Sequence, residues 1–372
     1  LFFPTTVDGW NTKDRIKVMG ALLRLCSKCH QTSNTYLVDL EFVVMLFLLS
    51  SILKPLLILF AASKYSNNTN NNNSNIINMS DSESITKKEA VLKVHGPDRQ
   101  GIVAAFSQVL YGHGCGIIDA EQSTDKSANL FFQRIHFDYS QMHTDRISLE
   151  KGFREVCERF EMVSELDWRE RRKRVAILVS KYDHALWEIL LRHRADELDC
   201  DIVSIISNHP DLEPVAKTFD IPFEVYKINK DTRAVEEPKL VEALQNKHKA
   251  DLVILARYMQ IVSPEFCNAF KHRVINIHHS FLPAFVGAKP YHRAFERGVK
   301  IIGATAHYAT PDLDEGPIIA QDITRISHRD GVQDLIQKGR LLEKNTLVHA
   351  VKAHLEDRII VYNNKCVVFG DV

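Results

Sequence analysis

The 372-residue sequence predicts an α/β protein with two folded parts, a small α+β unit over 87–168 and a larger, mainly parallel sheet over 174–372. Three observations predict it. Residues 90–167 read as strand, helix, strand, strand, helix, strand. Between 175 and 278, short and continuously apolar runs alternate with helical stretches, as strands buried on both faces do. The 45% hydrophobic and 25% charged content is that of an ordinary globular chain, which excludes collagen, coiled coil and wholesale disorder.

Residues 1–86 conform to neither part. An apolar run over 42–62 is interrupted by Lys54-Pro55, and an Asn-rich tract over 67–78 is too polar to pack. The first residue is Leu1, and Met79 opens a polar stretch typical of a soluble start. Three readings follow: untranslated sequence ahead of Met79, an organelle-targeting extension favoured by Lys13, Arg15, Lys17, Arg24 and Lys28, or a membrane anchor. The haem-attachment spacing of Cys26-Ser27-Lys28-Cys29-His30 is read as chance.

In the first part, 90–95 alternates as a strand, and Gly96-Pro97-Asp98-Arg99-Gln100-Gly101 turns into a helix over 102–111. Gly112, Gly114 and Gly116 end that helix and read as a loop, not as a dinucleotide site. Strands at 117–123 and 130–139, a helix at 148–160 and a strand at 162–167 complete the split, ferredoxin-like order.

The basic run Arg169-Glu170-Arg171-Arg172-Lys173-Arg174 reads as a solvated linker. Strands then fall at 175–180, 201–207, 223–228, 251–256 and 274–278, with helices at 184–198, 212–218, 237–247 and 264–270. Strand-like 301–308 and 317–326, a helix over 331–355 and a strand pair around Tyr362-Asn363-Asn364-Lys365 close a Rossmann-like sheet.

Ligands of open parallel sheets bind beyond the carboxyl ends of the strands. The fifth strand of this sheet ends in Asn276-Ile277-His278-His279, where alternation puts Asn276 and His278 on one face. An amide beside an imidazole can hold a carbonyl oxygen, although a buried structural pair has the same spacing. Downstream, residues 309–317 form a turn-rich loop with three carboxylates. Amide, imidazole and carboxylate at strand ends can serve acyl or formyl transfer as oxyanion donor, proton shuttle and base. No metal is expected, because His278 and His279 are adjacent and project to opposite faces.

Asn276-Ile277-His278 followed by Ser280-x-Leu282-Pro283, with Leu313-Asp314-x-Gly316-Pro317 downstream, resembles the formyl-folate transferase family. Gly287-Ala288-Lys289-Pro290-Tyr291-His292, Ile302-Gly303-Ala304-Thr305-Ala306-His307-Tyr308 and His354-Leu355-Glu356-Asp357-Arg358 strengthen the match. With its Gly-Pro-Asp-Arg-x-Gly-Ile entry to the first helix, the preceding part resembles an ACT domain. The two-domain order is similar to that of the formyltetrahydrofolate deformylases, over about 90–369. The resemblance implies hydrolysis of 10-formyltetrahydrofolate to formate and tetrahydrofolate, in one-carbon and purine metabolism, with Asn276, His278 and Asp314 as the catalytic trio. His307 becomes the candidate support for Asp314, with a satisfied structural histidine as the alternative. Burial is expected to raise the pKa of Asp314 from about 3.9, at which it is a weak base. Ala256, Tyr258, Met259, Gln260 and Ile261 fall in the family's folate-binding loop. The ACT-like part implies a small amino-acid effector at Asp98, Arg99, Gly101 and Ile102, or a dimerisation module with no ligand.

Water, glycinamide ribonucleotide and an aminoacyl-tRNA are the family's formyl acceptors. A phosphate-bearing acceptor calls for a glycine-rich loop after the first strand. Val179-Ser180-Lys181-Tyr182-Asp183-His184 stands there instead, without glycine. Lys+Arg and Asp+Glu are both 47, so zero net charge offers no footprint for RNA or any other nucleic acid. Water is therefore the expected acceptor, and transfer to an amine and a non-catalytic folate or amino-acid sensor are the alternatives. The folate is substrate and no prosthetic group is expected; a homo-oligomer is. Seven scattered cysteines point to a reducing compartment, cytoplasm or mitochondrial matrix, with no membrane association unless 42–62 is an anchor.

Overall fold

The computed structural model describes residues 88–284 and 290–370, so the extension over 1–86 and the Gly287-Ala288-Lys289 segment lie outside the described residues. Glu89–Pro97 (β1), Ile102–His113 (α1), Gly116–Asp125 (β2), Leu130–Asp138 (β3), Arg146–Phe160 (α2) and Val163–Asp167 (β4) form the first part. Its four-stranded antiparallel sheet is ordered β2-β3-β1-β4. Alternate residues of β1, Ala90, Leu92 and Val94, join Phe106, Leu110, Leu149 and Phe153 of the two helices in one apolar cluster. The opposite face is also covered. Phe132 packs with Ile360 and Phe369, Lys93 donates to the Ile359 carbonyl at 3.3 Å, and Arg134 donates to the carbonyls of Glu356 and Asp357 at 3.0 and 3.1 Å. Hence β1 and β3 are buried along most of their length, whereas the edge strand β2 is exposed.

The second part begins with Lys173–Val179 (β5), His184–Arg194 (α3), Cys200–Ser207 (β6), Glu213–Thr218 (α4) and Phe223–Val225 (β7). It continues through Arg233–Glu242 (α5), Leu252–Leu255 (β8), Pro264–Ala269 (α6), Val274–His278 (β9) and Pro290–Arg297 (α7). Ile301–Tyr308 (β10), Ile318–Arg325 (β11), Val332–Leu355 (α8) and the hairpin Ile359–Tyr362 (β12) with Lys365–Val368 (β13) complete it. The seven-stranded sheet is ordered β11-β10-β9-β8-β5-β6-β7, parallel from β7 to β9, with β10 antiparallel to both its neighbours. Val175 and Ile177 of β5 enter one apolar cluster while Ala176 and Leu178 enter another, which explains the unbroken apolar runs. The chain leaves β5 toward β6 and later returns to β8 on its other side. That reversal opens a crevice at the carboxyl ends of β5 and β8.

Three local readings are corrected. The basic run is no free linker: Arg171 pairs with Asp251, Arg172 with Asp199 at 2.9 Å, and Lys173 opens β5 between Asp167 and Asp357 at 3.1 and 2.5 Å. Its cations find carboxylates on neighbouring turns. Helix α5 starts at Arg233 and carries Pro238 inside it, then passes into a π-helical turn at Ala243–Lys247. Helix α7, of 8 residues, has no counterpart in the sequence reading. Among the described residues, no helix is long and apolar enough to cross a membrane.

A pH dependence arises at the back of this sheet. The Tyr308 hydroxyl lies 2.7 Å from His354 Nδ1, and burial, then Lys173 and Lys93, pushes the imidazole down to about 3. The unfolded histidine, at 6.5, binds a proton across that interval that the folded one does not. Its stability contribution is therefore complete above 6.5 and is lost as pH falls toward about 3. Between about pH 7.5 and about pH 5 the loss should be roughly 1–2 kcal/mol after allowance for partial exposure. Urea unfolding at the two pH values should show a loss larger by that amount in the parent than in His354→Asn, since the buried His279 and His307 contribute equally to both; equal losses in both would contradict the assignment.

Candidate active site

Antiparallel pairing of β9 and β10 sets His307 opposite Asn276 and Thr305 opposite His278. Asn276 Nδ2 thus comes to 3.1 Å from His307 Nε2, while His307 Nδ1 is 3.0 Å from the Tyr308 carbonyl oxygen. A carbonyl only accepts, so Nδ1 carries the proton, Nε2 accepts, and the Asn276 amide donates. The amide is held in one orientation with its second N–H to spare. Burial is the main cause of the lowered pKa of His307, which keeps that ring neutral.

Asp314 stands in the loop after β10 with φ 59°, a left-handed conformation that aspartate tolerates better than most residues. Its Oδ2 is 3.1 Å from His278 Nδ1 and its Oδ1 is 3.8 Å from His307 Nε2. The loop doubles back through a hydrogen bond from the Tyr308 N–H to the Pro317 carbonyl, 2.9 Å. A Cβ at Gly316 would lie 1.8 Å from the Tyr308 carbonyl oxygen, so only glycine permits this closure. Gly316→Ala should therefore shift Asp314 and lower kcat/KM at least about tenfold, since misplacements near 1 Å can cost about a hundredfold. Unchanged kinetics in the purified variant would contradict this.

Two expectations about these side chains are corrected, and that for His307 gains a nearer partner beside Asp314. Burial does act to raise the Asp314 pKa, but the His278 hydrogen bond and the surrounding histidines outweigh it, so the carboxyl lies below its ordinary value. The nearest partner of His307 Nε2 is the Asn276 amide, with Asp314 farther off. His278 and His279 do not diverge: β9 ends at His278, alternation lapses, and the two rings stack with centroids 5.2 Å apart. Among the described residues no group of three or more His, Cys, Asp or Glu side chains could hold a metal ion.

A cavity of about 350 Å³ opens on this group, at the lower end for small-molecule sites. Its walls include Met259, Gln260, Ile261 and Leu313 together with Arg257 and His279. His278 Nε2 is buried without a hydrogen-bond partner among the described residues. Met259 and Ile261 are exposed, as apolar contact with a planar ligand requires, and Tyr258 is buried in an apolar cluster. Ser180, at the end of β5, accepts the Met259 N–H at 3.0 Å and donates to Asn208 at 2.7 Å, fixing the loop. A larger cavity of about 670 Å³ beside β4 is lined by Lys93, Lys173, Asp167 and Asp357, which already pair with one another.

The formyl transferase family matches residues 173–351 and the ACT domain family matches 88–162. A formyltetrahydrofolate deformylase of Bacillus subtilis (strain 168) is 49% identical over 280 residues, covering 75% of this chain and 93% of that protein. The chain belongs to the formyltetrahydrofolate deformylase family. A deformylase of Synechocystis sp. (strain ATCC 27184 / PCC 6803 / Kazusa) is likewise 49% identical, over 76% of this chain and 98% of its own. The crystal structure of a formyltetrahydrofolate deformylase from Pseudomonas syringae pv. tomato str. DC3000 aligns with a TM-score of 0.72 at 43% identity, covering 77% of this chain and 96% of that one. The resemblance drawn from the motifs and the fold class are both borne out.

In this deformylase-family chain, Asn276, His278 and Asp314 lie together, and Tyr258, Met259, Gln260 and Ile261 line the adjoining cavity. Ala256 does not; directly after β8, it is fully buried in the core. In the ACT part, Arg99 pairs with Glu161 at 2.7 Å, Gly101 takes φ 92° ahead of α1, and Ile102 points into the core. The Asp98 N–H donates to the Asn129 carbonyl. Sequence reasoning missed Ser180, Arg257 and Glu343. Only Glu343 had a signal, an acid on the apolar stripe of α8 between Leu342 and Leu347.

Proposed function

We propose that the chain hydrolyses 10-formyltetrahydrofolate to formate and tetrahydrofolate, with the Asn276, His278 and Asp314 side chains acting on the formyl carbon. The observation that carries the residue assignment is the convergence of the three from β9 and a distant loop beside one cavity. The spare Asn276 N–H donates to the formyl oxygen, and His278, protonated on both ring nitrogens, donates Nδ1–H to Asp314 and Nε2–H to the same oxygen as negative charge develops. Asp314 orients the water. As attack on carbon makes that water acidic, the carboxylate takes its proton and passes it toward N10, whose bond to carbon breaks to release formate. Tyr258, Met259, Gln260 and Ile261 hold the pterin, the loop backbone reading its edge.

The ACT part takes a small amino-acid effector and the chain assembles as a homo-oligomer through it, the exposed edge strand β2 being open to pairing. The described cysteines are all free thiols, which fits the cytoplasm or an organelle matrix. Incubation with 10-formyltetrahydrofolate and no added amine should yield formate and tetrahydrofolate in equal amounts. Product formation that depends on an added amine would favour a transferase; binding without turnover would favour a sensor.

A further inference from the structure

Behind the cavity wall lies a buried polar cluster that hydrolysis as described above does not use. Glu343, from α8, has a side chain 2% exposed. It accepts from the Tyr291 hydroxyl and from His184 Nε2, each at 2.7 Å, and Arg257 Nε lies 3.3 Å away. Arg257 Nη1 also meets His279 Nδ1. Since a guanidinium only donates, His279 accepts there and is neutral. The guanidinium sits over the Tyr182 ring, 5.3 Å from its centre. An acid so deep in a helix–sheet interface is tolerated only when charge and hydrogen bonds compensate it, and here both do.

The backbone is shaped around this cluster. Arg257 adopts φ 63°, unfavourable for a long side chain, which turns it inward at the end of β8. In α8, a Cβ at Gly339 would stand 2.0 Å from the Tyr291 hydroxyl oxygen, so the helix surface is cut away to admit that phenol. Tyr182 and His184 come from the loop after β5 and the start of α3, where a parallel sheet of this kind would receive a second, phosphate-bearing ligand. Here the chain's own side chains stand there instead, Arg257 over Tyr182 and Glu343 on His184. His279 joins this cluster to the reaction centre through its stack on His278.

We infer that Arg257 and Glu343, with His184, Tyr291 and His279, close the acceptor side of the site and restrict the formyl acceptor to water. This rests on the hydrolytic reading above and names what enforces it. With the cluster opened, a primary amine can reach the formyl carbon. Its nitrogen bonds to that carbon, the bond to N10 breaks, and the amine's proton passes to N10, giving an N-formyl amine and tetrahydrofolate.

The test is the product ratio, N-formyl amine over formate, from 10-formyltetrahydrofolate with added glycinamide, for the full-length parent, Arg257→Gly and Glu343→Gln. A ratio does not depend on the fraction of folded enzyme, so a loss of stability cannot imitate the effect. The expected result is a ratio at least about tenfold higher in Arg257→Gly, the larger opening, and a smaller rise in Glu343→Gln, which keeps the shape but unpairs Arg257. A ratio unchanged in whichever variants turn over would overturn the inference. Absence of formate from the parent would instead overturn the hydrolytic reading itself.

Discussion

Asp314→Asn should lower kcat by about 10³–10⁴ while leaving the fold intact, because a carboxylate that orients a catalytic imidazole carries an effect of that size. The replacement keeps the shape, and asparagine accepts the left-handed φ of 59° found at this position. What changes is the polarity at His278 Nδ1, 3.1 Å away. An amide nitrogen there would face the Nδ1 proton, so the ring would rotate or change tautomer. The water would also lose its proton acceptor. KM should move little, since the pterin wall is made by Met259, Gln260 and Ile261. A loss in KM alone would place Asp314 in folate binding and not in the chemistry.

Asn276→Ala should cost about 10²–10³ in kcat, the range seen when one oxyanion donor is removed. A second consequence distinguishes this residue from a passive spacer. Without the amide, His307 Nε2 is a buried acceptor with no donor at 3.1 Å, so stability should fall by about 1–3 kcal/mol. A His307→Ala change should reproduce much of the kinetic loss, because the amide would no longer be held to one orientation. Denaturant unfolding beside steady-state kinetics checks both effects; an Asn276→Ala enzyme with ordinary turnover would remove the amide from the mechanism.

The strand pattern made most of this fold legible. Unbroken apolar runs such as Val175–Val179 within β5 could only be strands covered on both sides, and alternation through Asn276 and His278 placed both side chains on one face. What escaped were features set by partners far along the chain. Arg257 and Glu343 meet through the packing of α8 on the sheet, and neither neighbourhood announces the other. The His279 ring stacks on His278 because the strand has ended, a boundary that alternation cannot locate. The Asp314 pKa was expected to rise by reasoning from burial alone; the hydrogen bond from His278 that reverses it depends on a loop geometry closed by Gly316.

The most direct test is a crystal structure of the parent chain with a hydrolysis-resistant 10-formyl-folate analogue bound. The formyl oxygen should lie about 2.7–3.1 Å from both Asn276 Nδ2 and His278 Nε2, with the pterin against Met259 and Ile261. A formyl group directed away from that amide and imidazole, or a folate seated elsewhere, would contradict the account.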